Sequence, residues 1–203
     1  MRKIILSLLM LSILNLPSAR AEETVPGGQA LPPGMDAAKM AEVKLKGAPN
    51  ENHKVLDAFA GDWNYTSTMR MTPDAQPMEM KGTTSSKWIL DGRFLQGETK
   101  GEWMGEPFNG IAIAGYDNVK EEYNSLWIDN MATGMMVSSG KYDPATKTIT
   151  EEGTFSCPMT GKKDMAFRSE LKSIDADNYT YSMYQKAEDG TEFKGMEITY
   201  TRA

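Results

Sequence analysis

Residues 61–72 read GDWNYTSTMRMT, and this stretch decides the fold. Trp63, Tyr65 and Met69 are separated by even steps, and most of the residues between them are polar. A period of two places such side chains on one face of a β-strand. Because the stretch begins with a glycine and a proline-containing turn follows it, we predict a strand with one apolar face.

The same pattern continues to the end of the chain, with no segment of helix length between the strands. The ten predicted strands are Asp62–Thr72, Met78–Leu90, Arg93–Trp103, Phe108–Asp117, Glu122–Asn130, Gly134–Tyr142, Lys147–Phe155, Asp164–Ile174, Tyr179–Lys186 and Glu192–Arg202. Short gaps containing pairs such as Asp91-Gly92 and Asp189-Gly190 are typical of hairpin turns. We therefore expect consecutive strands to pair in antiparallel fashion.

A ladder of this length has two edges, which must be covered or joined. Joining them gives an all-β, antiparallel up-and-down barrel of about ten strands, and glycines inside the strands permit the bends that closure needs. We predict this barrel in preference to a sandwich. A short helix comes first, because Asn50 or Asn52 can cap it and Gly61 can end it.

The N-terminus has the pattern of a cleavable signal peptide over residues 1–21. Arg2 and Lys3 precede an apolar run from Ile4 to Leu16, which is too short to span a bilayer as a membrane anchor would. Residues 19–21, Ala-Arg-Ala, fit a cleavage site. We expect a secreted or periplasmic protein whose mature chain begins at about Glu22.

Composition limits the partners and the domain organisation. Residues 22–49 are rich in Gly, Pro and Ala and predict a flexible linker, while 50–203 have the length of a single barrel domain. The net charge is −6 and becomes more negative without the signal peptide, whose charges are all basic. Nucleic acid is therefore not expected as a partner, and neither is stable membrane insertion.

The motif Gly61-Asp62-Trp63 follows the predicted helical turn and opens the first strand, and Arg202 stands in the last strand. This arrangement resembles the lipocalin-like (calycin) barrels, a group that includes the fatty-acid-binding proteins, in which a Gly-x-Trp motif stands in that place. The resemblance implies that Trp63 closes one end of the barrel. It also implies that Arg202, from the last strand, packs across the tryptophan.

A longer, collinear set of motifs runs through the domain: Lys81-Gly82-Thr83, residues 88–95 (WILDGRFL), Phe108-Asn109-Gly110, residues 115–118 (GYDN), Trp127-Ile128-Asp129 and residues 192–202 (EFKGMEITYTR). These motifs resemble those of the DUF1579 family. The resemblance implies a lipocalin-like barrel, often found in secreted bacterial proteins. It brings no established activity and no catalytic residues.

The strands carry aromatic and charged residues that could line a binding site. The candidate ligand-binding residues are Trp88, Arg93, Trp127, Asp129, Arg168, Glu170 and Tyr184. Since an arginine inside the barrel would select a carboxylate, we predict a small hydrophobic or amphipathic ligand for which a carboxylate is one candidate group. The alternative is that these charges pair with each other or face solvent, because the pattern alone does not determine the register.

Four methionines around one turn indicate an alternative function. Met69 and Met71 precede a turn, and Met78 and Met80 follow it. A hairpin would set the two pairs opposite each other, and four thioethers could bind Cu(I) in a periplasmic or stress-related protein. The competing interpretation is that these flexible side chains line an adaptable pocket or fill the core.

No catalytic signature is present, so we assign no catalytic residue and no cofactor, and an enzyme is the less favoured interpretation. His53 is the only histidine and precedes the barrel, which disfavours a Ser-His-Asp triad and a haem ligand within a strand. Zinc sites built from His and Cys are excluded on counts. The pairs Glu121-Glu122 and Glu151-Glu152 are expected at turns, exposed to solvent.

Overall fold

The computed structural model describes residues 32–203. The predicted signal peptide and the beginning of the predicted linker lie outside the described residues. By its internal contacts the chain divides between Leu45 and Lys46. Helix α1 (Ala37–Lys46) has no buried residue, and Asp36 caps it by accepting a hydrogen bond from the Lys39 N–H (2.7 Å). No helix within residues 32–203 combines the length and the apolarity needed to cross a membrane.

Residues 46–203 form the barrel and the helical turns that precede it. Helix α2 (Glu51–Lys54) continues directly into a 3-10 helix (Val55–Phe59). Ten strands follow within the described residues: β1 Gly61–Met69, β2 Met78–Ile89, β3 Phe94–Trp103, β4 Glu106–Asp117, β5 Glu122–Asp129, β6 Met136–Asp143, β7 Thr148–Phe155, β8 Met165–Ser173, β9 Asn178–Lys186 and β10 Glu192–Arg202. Every predicted strand is present, with ends shifted by a few residues.

The sheet closes on itself, as predicted. Each strand pairs in antiparallel fashion with its sequence neighbours, and β1 pairs with both β2 and β10. In the closing ladder Trp63 lies opposite Arg202 and Met69 lies opposite Met196. The fold is therefore an up-and-down barrel in which the first and last strands cover each other's edges.

Alternation along the strands determines which side chains enter the barrel. In β1, Trp63, Tyr65 and Ser67 are buried while the residues between them are exposed. In β8, Phe167 and Ser169 are buried and face inward. Because successive side chains of a strand point to opposite faces, Arg168 lies on the outer face of the barrel.

The helical turns close one end of the barrel. Leu56, Phe59 and Trp63 belong to a buried apolar cluster at this end. The indole N–H of Trp63 donates to the Phe59 carbonyl (3.1 Å), and the Arg202 guanidinium lies 3.7 Å from the indole ring. Arg202 also donates to the Ala60 carbonyl (2.8 Å). This confirms the roles that the lipocalin-like resemblance implied for Trp63 and Arg202.

Gly61 joins the closed end to the first strand. Its φ angle is +109°, a conformation that side-chain-bearing residues rarely adopt. A β-carbon at this position would also collide with the Arg202 guanidinium. The glycine is therefore required both by its backbone and by the close approach of Arg202.

Candidate functional site

The barrel encloses a cavity of about 1070 Å³. Its lining begins at Leu56 and Phe59 of the closed end and reaches the loops at the opposite end. Met131, Met135 and Met159 in these loops line the cavity and are also exposed to solvent. The cavity therefore has a closed floor and a mouth.

Methionine dominates the part of the wall nearest the mouth. All the methionines from Met69 onward line the cavity, with the exception of Met104 in an exposed turn. Four of them lie opposite one another across adjacent strands and form what we call the methionine row: Met78 in β2, Met69 in β1, Met196 in β10 and Met183 in β9. Flexible thioether side chains can adapt to ligands of different shapes.

The predicted methionine hairpin is confirmed in part. Met69 and Met78 are directly opposed, and all four predicted methionines line the cavity. Met80 lies opposite Ser67 rather than Met71, because β1 ends at Met69. Sequence reasoning missed Met196, which the closure of the barrel brings beside Met69.

Trp127 and Asp129 lie on the cavity wall, as their shared strand face predicted. The Trp127 indole N–H donates to Asp129 Oδ2 (2.7 Å), and Phe108 stacks on the same indole at 6.2 Å between ring centroids. A β-carbon at Gly110 would collide with the indole ring. The glycine thus makes room for Trp127 to lie flat against the wall.

Arg168, Glu170 and Tyr184 lie outside the barrel, so the prediction that they line its lumen is wrong. Arg168 is paired with Glu170 and with Glu192 (2.9 Å), and its guanidinium lies 4.0 Å from the Tyr184 ring. Tyr184 donates to Glu170 (3.3 Å). Hydrogen bonds to these carboxylates raise the pKa of Arg168, and the arginine lowers the pKa of Glu192. We call these four residues the outer ion-pair cluster.

Trp88 and Arg93 do not line the cavity either. The Trp88 indole N–H donates to Asp57 in the 3-10 helix (2.8 Å), and its ring packs against the closed-end cluster. Arg93 lies in the turn after β2 and donates to the Gly47 carbonyl (3.0 Å). Both residues were expected at the ligand site because they are aromatic or charged, but they hold the segment before the barrel against the closed end.

Sequence reasoning missed a buried carboxylate in the cavity wall. Glu151 was expected at an exposed turn, but β7 carries it inward and it is only 7% exposed. Ser125 donates to its Oε1 (2.9 Å) and Ser138 donates to its Oε2 (2.8 Å). Burial raises the pKa of Glu151, and the two serine hydrogen bonds oppose this shift. The prediction treated Glu151 and Glu152 as one exposed pair. Because neighbouring residues of a strand point to opposite faces, only Glu152 faces solvent.

Glu151 is the centre of a polar belt that crosses five adjacent strands. The polar belt consists of Ser125 in β5, Ser138 in β6, Glu151 in β7, Ser169 in β8 and Tyr181 in β9. Ser125 lies opposite Ser138, and Glu151 lies opposite Ser169, which is hydrogen-bonded with Tyr181. Burial raises the pKa of Tyr181 to about 12. One signal of this belt was available in the sequence, because Ile149 and Phe155 share the face of Glu151 by even spacing.

His53 has a structural role. It is buried in helix α2, and its Nδ1 accepts a hydrogen bond from the Asn50 N–H (3.1 Å). Burial lowers its pKa. Within residues 32–203, no three His, Cys, Asp or Glu side chains gather in a way that could hold a metal ion.

A closed antiparallel barrel with a helical plug, a Trp–Arg pair at that end and a cavity open at the other defines a lipocalin-like (calycin) barrel. The comparison of the sequence with known families gives the particular group. The chain belongs to the family described as "Protein of unknown function (DUF1579)", which matches residues 48–202. This confirms the resemblance carried by the sequence motifs.

Two solved structures are similar in fold. Rv2717c from M. tuberculosis has a TM-score of 0.58 and 15% identity, over 77% of this chain and 99% of its own. An S-type phycobiliprotein lyase, CPES from Guillardia theta, has a TM-score of 0.52 and 10% identity, over 79% of this chain and 96% of its own. At these identities the likeness concerns the fold alone. A search of curated proteins found no match.

Proposed function

We propose that the barrel binds a small, mostly apolar molecule in its cavity. The observation that carries this proposal is the cavity of about 1070 Å³, closed at one end and lined by methionine and aromatic side chains. Small-molecule sites are typically concave, mostly apolar and of about 300–1,000 Å³. A packed core has no comparable space, since protein interiors contain few voids larger than a water molecule.

The wall of the cavity also indicates the kind of ligand. Methionine side chains near the mouth adapt to different shapes, so a flexible apolar chain fits this region. The carboxylate that Arg168 was expected to select is not part of the proposal. Arg168 is engaged by Glu170 and Glu192 on the outer face of the barrel.

The test uses N-phenyl-1-naphthylamine, a neutral apolar dye whose fluorescence rises in apolar surroundings. We expect saturable binding to the purified protein, with quenching of tryptophan emission. Trp127→Phe should reduce the quenching, because Trp127 lines the cavity. Trp88→Phe is the matched control and should leave the change nearly intact, because Trp88 packs at the closed end.

Two results would contradict the proposal. The first is an absence of saturable dye binding by the folded wild-type protein. The second is an equal loss of quenching in Trp88→Phe and Trp127→Phe, which would place the dye outside the cavity.

We also propose that the protein is secreted or periplasmic. The support is the basic start, the short apolar run and the Ala-Arg-Ala sequence over residues 1–21. Expression of the full chain in a Gram-negative bacterium should yield a periplasmic or extracellular product whose N-terminus lies near Glu22. An uncleaved product retained in the cytoplasm would contradict this.

A second candidate function is the binding of Cu(I). The sequence suggested the quartet Met69, Met71, Met78 and Met80, and the methionine row provides a specific observation in its favour. Thioether sulfur is a soft ligand that suits Cu(I). The row draws on both ends of the barrel sequence, so it forms only in the folded protein.

The copper proposal is tested by anaerobic Cu(I) titration in competition with a chromogenic chelator. Replacement of the methionine row by leucine should abolish uptake while preserving the apolar wall. A control variant should retain uptake, with leucine at four methionines near the mouth: Met131, Met135, Met136 and Met159. Equal uptake by the wild type and the row variant would contradict the proposal.

A further inference from the structure

The polar belt is the feature of the cavity that an apolar ligand alone leaves unexplained. It places a buried carboxylate and hydroxyl groups on five consecutive strands, and all of its members except Ser169 line the cavity. Burying a carboxylate is costly unless it is paired or hydrogen-bonded. We propose that the polar belt binds a protonated amine carried by the apolar ligand, with Glu151 as its counter-ion. This inference rests on the proposed function and specifies the ligand's polar group.

The charges of the cavity lining favour a cation. Among residues 32–203, the basic residues that line it are Arg70, Lys162 and Lys186, all located after or at the end of strands that finish at the mouth. The acidic residues that line it are Asp74, Glu188 and Asp189 in the mouth loops and, on the strand wall, Asp129 at the last position of β5 and Glu151 in the interior of β7. A carboxylate-bearing ligand would therefore meet like charges on this wall, whereas an ammonium group would meet opposite charges.

The hydrogen bonds of Glu151 leave room for such a group. Each carboxylate oxygen accepts one serine hydroxyl, and an ionised carboxylate offers about four acceptor positions in total. One position on each oxygen is therefore open in addition to the serine hydrogen bonds. Ser125 and Ser138 come from different strands and hold the carboxylate in one orientation, which lowers the cost of ordering it when the ligand binds.

The state of the carboxylate without ligand agrees with this role. Glu151 receives hydrogen bonds from neutral hydroxyls, and burial raises its pKa. A neutral hydroxyl on the ligand would add a hydrogen bond but no compensating charge. An ammonium group would supply up to three donors together with the missing positive charge. The geometry thus distinguishes an amine from an alcohol of the same shape.

The experiment compares three ligands with the same alkyl chain: dodecylamine, dodecanol and dodecanoate. Each displaces N-phenyl-1-naphthylamine from the full-length protein at neutral pH, below its micellar concentration. We expect the wild type to bind dodecylamine about tenfold or more tighter than dodecanol, since charge-assisted hydrogen bonds contribute more than neutral ones. Dodecanoate should bind most weakly.

Glu151→Gln should weaken dodecylamine binding about tenfold or more and leave dodecanol binding within about twofold. Glu152→Gln is the matched control, because it removes the same charge from the adjacent position on the outer face. It should bind all three ligands as the wild type does. Thermal melts establish that both variants are folded.

The outcomes separate this inference from the proposed function. Equal wild-type affinity for dodecylamine and dodecanol would overturn the inference without any variant, while leaving the binding function intact. An equal loss of dodecylamine binding in Glu151→Gln and Glu152→Gln would also overturn it, because the amine would then respond to net charge. Failure of the wild type to bind the dye or any of the three alkyl ligands would overturn the proposed function itself.

Discussion

Charged residues have different partners on the two faces of the barrel wall. On the outer face, Arg168 is paired with Glu170 and Glu192 and remains partly in contact with solvent. On the inner face, one strand away, Glu151 accepts hydrogen bonds from the hydroxyls of Ser125 and Ser138. Charges on the outer face are thus compensated within the protein. Within residues 32–203 no basic side chain forms an ion pair with the carboxylate on the inner face, which is the condition expected of a binding group.

The largest effect on stability is expected inside the barrel at its closed end. Trp63→Ala removes a completely buried indole and should lower the free energy of unfolding by about 3–5 kcal/mol. It also removes the surface on which Arg202 lies. Urea denaturation measures this loss. Phe94→Ala, which truncates an aromatic ring that is 39% exposed, is the control and should cost clearly less. Equal losses would show that the helical plug does not define a core.

An intermediate effect, dependent on pH, is expected at Glu151. Because burial raises the pKa of this carboxyl, the folded state binds its proton more tightly than the unfolded chain does. The wild type therefore loses stability as the pH rises from the unfolded pKa through the folded pKa. Glu151→Gln cannot titrate and escapes this loss. Its melting temperature relative to the wild type should thus be higher at about pH 8 than at about pH 4.

The neighbouring groups do not obscure this pH dependence. Tyr181 interacts electrostatically with Glu151, but its own pKa is raised to about 12, far above the range of the measurement. Asp129 is the other carboxylate on the strand wall and is present in both proteins. A difference in melting temperature that stays constant between the two pH values would contradict a desolvated carboxylate at position 151.

The smallest effect is expected in the outer ion-pair cluster. Arg168→Ala should lower the free energy of unfolding by about 1 kcal/mol or less, since exposed ion pairs are screened by solvent and salt. The affinity for N-phenyl-1-naphthylamine should not change, because Arg168 does not face the cavity. Denaturation and dye titration of the same variant check both statements. A marked loss of dye affinity would show that Arg168 contributes to ligand binding, which would contradict its assignment to the outer face.

Prediction from sequence succeeded where local pattern and fold agree. The period-two alternation and the turn residues located all ten strands. Gly61 and Trp63 lie about 140 positions before Arg202 in the sequence, but the three residues act as one unit. The resemblance to lipocalin-like barrels identified them before the structure did. These features depend on residue types whose requirements are local or shared by a whole class of folds.

Prediction of the site was less successful because it depends on register. A shift of one residue moves every side chain of a strand to the other face. In β8 the even-numbered positions hold Arg168 and Glu170, and they were expected inside although Phe167 and Leu171 mark the inner face. In β7 both faces carry a glutamate, so Glu151 and Glu152 cannot be distinguished by polarity alone.

The sequence by itself determined that this chain forms an antiparallel barrel with one plugged end, because strand period, turn chemistry and the Gly-x-Trp motif are all encoded locally. It also determined membership of the DUF1579 family, which residues 48–202 match. Only the tertiary structure decided what the cavity presents. Closure of the barrel brought Met69 beside Met196, and the register turned Glu151 inward and Arg168 outward. The first placement follows from the pairing of the first and last strands. The second follows from the register of each strand against its neighbours, which the apolar residues of β7 and β8 indicate but do not fix.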